Sequence, residues 1–343
     1  MFSPGKKTPL NNIIISRTDS IGDVVLTLPV AAVLKEHFPN IKIGFLGKEY
    51  TRAVVNTCKY VDEFIELNDF MTRKITVCGQ SPEAILHELP VPTIAKRAKQ
   101  LQIPLRIGTT NRLYHWFTCN RLVKLSRKNS DLHEAQLNIK LLKALGIDKE
   151  YSLKNIANLY GFEKIQPLPA RFSQLIEIEK FNLILHPKSQ GNGREWPLEN
   201  YKLLIQSLDN NLYNIFISGT EKERKALQPL LEETNELVMD ITGLMNLPEF
   251  IAFIDACDGF VASGTGPLHI AAALGKNALG IFPPIRPVHP GRWAAVGTNS
   301  QTFVVDKFCD DCRKNNNACN CMKEVQPAWI KNALDKLALA KQL

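Results

Sequence analysis

Between Phe181 and Phe282 short apolar runs alternate with segments of helical period, and this alternation constrains the fold more than any other feature of the chain. FNLILHP (Phe181 to Pro187) reads as a buried strand. A helix follows over Pro197 to Leu208, with Pro197 suited to its first turn. LYNIFISG is the next strand, and Glu221 to Thr234 the next helix. ELVMDITG, DGFVAS and NALGIF are further strands. LPEFIAFIDAC, on a 3.6-residue period, and PLHIAAALG are the helices between them. Strands joined by crossovers of this length pair in parallel, with helices covering both faces. The first half shows the same habit. NIIIS and IKIGFLG read as strands, and Ile21 to Glu36 and KEYTRAVVNTC as helices.

The second half therefore resembles a Rossmann-type unit. A chain of 343 residues is too long for one ordinary α/β core, so two domains are expected. The proline-bearing stretch Tyr160 to Ala170 is the natural join. The expected division is 1–165, 171–324 with a cysteine-rich element at 309–321, and an amphipathic helix over 325–343 with room to pack back on the first domain. Two such domains facing one another leave a cleft at the carboxyl ends of their strands. Ligands of open α/β sheets bind at those ends.

Composition narrows the partners. Hydrophobic residues make up 45% and charged residues 22%, as in a soluble globular protein. Neither a membrane-length apolar run nor a secretory leader is legible, so the expected location is cytoplasmic. The net charge of +8 suits an anionic partner. Much of it lies in one segment, with Lys96, Arg97, Lys99, Arg106, Arg112, Arg121, Lys124, Arg127 and Lys128 around Tyr114, Trp116 and Phe117. Its plain reading is a solvated basic face over core aromatics. No recognition motif accompanies it, so a nucleic-acid partner is not expected. No G-x-G-x-x-G follows a strand, which argues against a dinucleotide enzyme.

Three post-strand loops offer groups for a phosphorylated ligand. In ASGTGPLHIAAALG, Gly264, Thr265 and Gly266 make a turn and Pro267 opens a helix carrying Leu268 and His269. Backbone N–H groups at such a helix start favour a phosphate. His269 reads more simply as a core histidine. In HPKSQGNGREWP, Lys188, Ser189, Gln190 and Arg194 are donors ahead of Trp196, and an arginine can bind a diphosphate bidentately. GIFPPIRPVHPGRW adds Arg286, His289, Arg292 and Trp293. Cys309, Cys312, Cys319 and Cys321 form C-x2-C-x6-C-x-C. That spacing fits a structural zinc or iron knuckle, disulfides, or unliganded thiols. Cys58, Cys78, Cys119 and Cys257 are dispersed and read as core.

The Gly22-Asp23 pair with TLP behind it, the REWP loop, SGTEKE and GTGPLHIAAALG together resemble glycosyltransferase family 9, the ADP-heptose:lipopolysaccharide heptosyltransferases. The resemblance runs from about residue 12 to residue 300. It implies a GT-B fold and inverting transfer of a sugar from a nucleotide diphosphate, with no cofactor required for the chemistry. Carried over position by position, it makes Asp23 the general base and Arg194 the partner of the donor diphosphate. It also puts Glu221 at the ribose, Met245 beside adenine, and Thr265, Gly266 and the amides that follow at the phosphates. The family usually has an aspartate where this chain has Gly264, which leaves the donor sugar open.

An inverting transfer needs a base opposite the leaving group; the resemblance implies Asp23 for that role if the acceptor lies in the N-terminal half of the cleft, and a helix start favours its ionised form. The resemblance also implies an anionic, sugar-bearing lipid as acceptor. Arg106, Arg112, Arg121, Lys124, Arg127 and Lys128 are then candidates to hold it and to draw the enzyme to the inner-membrane surface. Asp131, His133 and Glu134 are candidates to shape that side, with a helix N-cap the simpler account of Asp131. Two other readings stay open: a non-catalytic nucleotide-sugar-binding protein, and a protein heptosyltransferase that oligomerises through a metal-bound cysteine cluster.

Overall fold

A computed structural model describes residues 10–128, 130–189, 193–286, 288–307, 309 and 320–342. The chain divides between Lys164 and Ile165 into two units.

The first unit is built on β1 (Asn12–Ser16), β2 (Lys42–Gly47), β3 (Glu63–Glu66), β4 (Ala84–His87), β5 (Leu105–Thr109) and β6 (Arg121–Val123). They form one sheet in the order β3-β2-β1-β4-β5-β6, every pair parallel. All five residues of β1 are buried, as a central strand covered on both faces requires. The long helix expected over Ile21 to Glu36 is two helices, Ile21–Val25 and Pro29–His37. Pro29 cannot donate a backbone hydrogen bond, so it starts a new helix and does not continue the old one.

The second unit repeats the plan. Its strands are β7 (Phe181–His186), β8 (Tyr213–Ile217), β9 (Met239–Asp240), β10 (Gly259–Ser263), β11 (Asn277–Ile281) and β12 (Gln301–Phe303). They too are parallel, in the order β12-β11-β10-β7-β8-β9. In each unit the first strand lies between the second and the fourth, so strand order reverses there. In an open α/β sheet that point leaves a crevice at the carboxyl ends.

The terminal helix Pro327–Lys341 belongs to the second unit. Ile330, Leu334 and Ala338, one face at four-residue spacing, are buried in the same core as Phe181, Tyr213 and Trp196. Tyr213 Oη–H donates to Asp335 at 2.9 Å. Lys341 Nζ reaches Asp258 at 2.7 Å. The sequence left room for this helix to return to the first domain, whereas its apolar stripe beds in the second. Of the dispersed cysteines, Cys58, Cys119 and Cys257 are buried, but Cys78 is exposed. Cys78 lies in a turn with φ of 50°.

Candidate functional site

In the second unit the two expected anion loops follow β7 and β10, the neighbours at which strand order reverses. They meet. The Trp196 backbone N–H donates to Ser263 Oγ at 3.0 Å. A Cβ added to Gly193 would stand 3.0 Å from the Gly264 carbonyl oxygen. Trp196 anchors the loop from below: it is buried, its Nε1–H donates to the Val325 carbonyl at 2.9 Å, and its ring meets Tyr201 edge-on at 4.8 Å. Glu195, which the sequence did not single out, closes the loop. It accepts from the Ser189 N–H at 2.9 Å and the Ser189 hydroxyl at 3.2 Å, and pairs with Lys188. Ser189, expected to face a donor, thus turns both its polar groups to Glu195. Arg194 is half-buried in the same loop. Gln190 lies outside the described residues.

Thr265 is the N-cap of the helix Gly266–Ala273, yet no side chain caps that helix. The Thr265 Oγ1 is buried and has no hydrogen-bond partner among the described residues. Pro267 has no N–H to satisfy, while Leu268 and His269 are buried and fix the helix below. The turn therefore sets a buried hydroxyl, unengaged among the described residues, beside the positive end of a helix, which favours an anion. Gly264 packs under Phe282. A Cβ there would stand 2.8 Å from Phe282 Cε1, and the ring is only 2% exposed. The usual family aspartate could not enter at 264 without displacing that ring.

Glu221 opens the turn Glu221–Glu223 after β8 and lies against Gly243, whose φ is +72°. A Cβ on Gly243 would overlap the Glu221 carboxylate. The structure thus brings Glu221 beside the turn that leads to half-buried Met245. Arg224 braces this corner, bonding Glu221 at 3.3 Å, Asp240 at 2.8 Å and the Thr242 carbonyl. Arg286 is exposed beyond β11. His289 caps the short helix Pro290–Trp293, with its Nδ1 accepting from the Gly291 N–H at 2.9 Å. Burial pushes His186, at the end of β7, down to about 4 against the pull of Glu223 and Glu195. Of the cysteine element, Cys312 and Cys319 lie outside the described residues. Cys321 is buried in the core of the second unit and Cys309 packs against it.

The first unit holds a network that the sequence reading missed. Arg17 follows β1 and is 3% exposed. Its guanidinium bonds Asp19 at 2.7 Å, Glu134 at 3.0 Å and Asp23. Asp23 also accepts from the Ser20 hydroxyl at 2.5 Å, and its side chain remains 18% exposed. Each carboxylate oxygen keeps a second lone pair for another proton. Burial alone would weaken the hold of Arg17 on its proton, but Asp19, Asp23 and Glu134 reverse this and raise its pKa. Behind it, Arg127 bonds Glu134 at 2.9 Å and Asn138 at 2.8 Å, and reaches Glu88 at 3.5 Å. Glu88 follows β4, across the switch point from Arg17.

These contacts reassign several expected residues. His133, not Asp131, caps the helix Glu134–Lys140: its Nδ1 accepts from the Ala135 N–H at 3.3 Å. Glu134 is buried between two arginines and does not line a surface. Arg127 faces the same network. Arg106 is held by the Thr118 carbonyl at 2.7 Å and the Ile103 carbonyl. Arg112, Arg121, Lys124 and Lys128 are exposed.

The chain as a whole has the α/β architecture of the GT-B transferases. It is similar to Escherichia coli ADP-heptose lps heptosyltransferase II at a TM-score of 0.74 and 16% identity, covering 97% of this chain and 100% of that one. It is also similar to the glycosyl transferase family 9 structure from Veillonella parvula DSM 2008, at a TM-score of 0.75 and 16% identity over 97% and 99% of the two chains. In sequence it is 22% identical over 332 residues to lipooligosaccharide heptosyltransferase 2 of Campylobacter jejuni serotype O:6, covering 93% of this chain and 96% of that one. The family model described as glycosyltransferase family 9 (heptosyltransferase) matches residues 98–323, well over half of the chain. The chain belongs to that family. The matched span includes both anion loops of the second unit; Asp23 precedes it.

Two predictions come from this geometry. Burial pushes Glu88 up to about 8 against the pull of Arg127 and Arg17, so the folded protein holds a proton that the unfolded chain releases near 4.5. That contribution is full below about 4.5 and lost as pH rises to about 8. Burial holds His87 down to about 3, which makes stability rise with pH from about 3 to 6.5. Between 6.5 and 8 the Glu88 contribution falls as pH rises, by up to roughly 1.4 kcal/mol per pH unit. Denaturant melts should show Glu88→Gln flattening the decline over that window; an unchanged slope would remove Glu88 as its source. Separately, Gly264→Asp should destabilise by about 1–3 kcal/mol through overpacking. In a double-mutant cycle with Phe282→Ala the two costs should add to less than their sum. Full additivity would mean that the ring does not exclude the carboxylate.

Proposed function

We propose that the protein is an inverting heptosyltransferase that moves heptose from ADP-heptose to the core of lipopolysaccharide or a related glycoconjugate. The observation that carries this reading is the meeting of the 188–196 loop with the 263–266 turn at the switch point of the second unit, where Thr265 Oγ1 has no partner among the described residues. There the helix-start amides and Arg194 bind the donor diphosphate. Glu221 takes the ribose, and adenine lies by Met245. The donor chemistry is taken from a relative, the similar Escherichia coli ADP-heptose lps heptosyltransferase II.

Asp23 is the general base in this reading. The acceptor hydroxyl oxygen attacks the anomeric carbon as its proton passes to Asp23. The bond to the diphosphate breaks, and the departing oxygen takes the electron pair. Arg194 and the turn amides meet the charge growing on that oxygen. The reaction centre needs no metal for these steps. Arg17 and Ser20 hold the Asp23 carboxylate in place. The exposed cations Arg112, Arg121, Lys124 and Lys128 suit the anionic groups of a glycolipid acceptor at the cytoplasmic face of the membrane.

Asp23→Ala should lower kcat roughly 10²–10⁴-fold while leaving ADP-heptose affinity by calorimetry near the wild-type value. Arg194→Ala should instead weaken ADP binding by roughly 10–100-fold, the loss of a charge-assisted hydrogen bond. Transfer by Asp23→Ala at the wild-type rate would eliminate the assigned base. Equal ADP inhibition of Arg194→Ala and wild type would eliminate the diphosphate role.

A further inference from the structure

The basic segment 96–128 reads from sequence as a solvated face over core aromatics, and the structure reverses part of that. Leu113 is 76% exposed, Trp116 59% and Phe117 69%. They stand at i, i+3 and i+4 on one hydrogen-bonded turn, with the Trp116 N–H donating to the Leu113 carbonyl at 3.1 Å and the Thr118 N–H to the Tyr114 carbonyl at 3.1 Å. That spacing puts all three on one face.

The opposite face is fixed. His115 is fully buried, and its Nδ1 accepts from the Thr109 N–H at 2.9 Å. Cys119 is buried beside it. The three apolar side chains therefore cannot be drawn inward without unpacking His115. The Trp116 indole N–H already donates to the Thr110 carbonyl at 3.0 Å, and the Phe117 carbonyl accepts from Lys99 Nζ at 2.9 Å. The Trp116 indole and the Phe117 carbonyl are thus engaged, while the apolar side chains of the turn are not covered. A concentrated apolar patch of this kind marks an interaction surface.

The charge around it says which kind. Residues 91–130 contain no Asp or Glu. Lys99 touches the turn, Lys96 precedes it by three residues on the helix Pro92–Gln100, and Arg112 adjoins Leu113. All three are exposed. An apolar aromatic wedge whose charged neighbours along the chain are all cationic fits the boundary between headgroups and acyl chains of an anionic bilayer. No helix among the described residues is long and apolar enough to cross a membrane, so the contact is one of surface insertion.

We infer that Leu113, Trp116 and Phe117 form a wedge that seats the first unit in an anionic bilayer surface, with Lys96, Lys99 and Arg112 on the headgroups. This deepens the reading of the acceptor as a membrane glycolipid and rests on it for its biological meaning, though not for its measurement. The test is flotation of the full chain, without donor or acceptor, on vesicles of phosphatidylethanolamine with phosphatidylglycerol and on vesicles of phosphatidylcholine. The wild type should float with the first and stay behind with the second. Trp116→Ser with Phe117→Ser should lower the partition at least roughly tenfold, and Lys96→Glu with Lys99→Glu by a similar factor that shrinks in high salt. Both variants should keep wild-type transfer to a deacylated, water-soluble acceptor. Absence of the wild type from the anionic vesicles would overturn the inference, as would undiminished binding by the serine variant. So would a self-associating wild type that the serine substitutions turn monomeric, because a second copy would then be the occupant. Transfer to soluble acceptor without vesicle binding would sink the wedge alone; vesicle binding without transfer to any acceptor would sink the proposed activity alone.

Discussion

A guanidinium removed from water at the end of β1 sets the terms for the first unit. An ion in the interior costs several kcal/mol unless it is paired and hydrogen-bonded. Arg17 meets that cost with Asp19, Asp23 and Glu134 together. Arg127 then shares Glu134, which brings a second cation into the cluster. Two arginines now face three carboxylates, and a fourth negative charge on Glu88 would have to share Arg127 with Glu134. Burial keeps Glu88 protonated and avoids that excess. Asp23 belongs to a helix of only five residues, too short to fix a side chain by itself. Its carboxylate is held instead from the strand by Arg17 and from the N-cap by Ser20.

The second unit solves its positioning problem by different means. It brings loops and turns into close approach, and side chains would stand in the way of that. Gly193 lets one loop approach the Gly264 carbonyl, and Gly243 lets a turn close on Glu221. Gly264 leaves room for the Phe282 ring. At each of these places a Cβ would force atoms apart, so the missing side chain is itself the structural element. The same strand order is therefore finished in two ways. One aims a carboxylate with buried charges; the other aims a helix start with close backbone approach.

This difference explains what could be read from the sequence. The strands of the second unit were legible because five apolar runs alternate with helices of clear period. β3 to β6 and β12 were not called: they are three to five residues long and several carry polar residues, as in EFIE and QTF. The anion loops were legible because glycine and proline punctuate them. The buried network was not. Arg17, Glu88, Glu134 and Asn138 are scattered over more than a hundred positions, and only the folding of β1, β4 and the helix Glu134–Lys140 makes them neighbours. Glu195 was passed over because acidic residues do not suggest an anion site; its role is to tie Ser189 and Lys188 into the loop.

The segment 91–130 shows why charge counting alone cannot assign a surface. Arg97 donates to the Phe70 carbonyl at 3.1 Å and the Arg73 carbonyl at 2.9 Å, Arg106 binds two further carbonyls, and Arg127 enters the Glu134 network. These arginines use their forked donors to hold the chain together. Lys96, Lys99, Arg112, Lys124 and Lys128 instead remain in water. The fold thus sorts one basic segment into an inner set that supports the first unit and an outer set that shapes its field. Lys99 of this outer set touches the turn where large apolar side chains are also left in water. A surface that is anionic above and apolar beneath would satisfy both the cations and the apolar side chains of this patch.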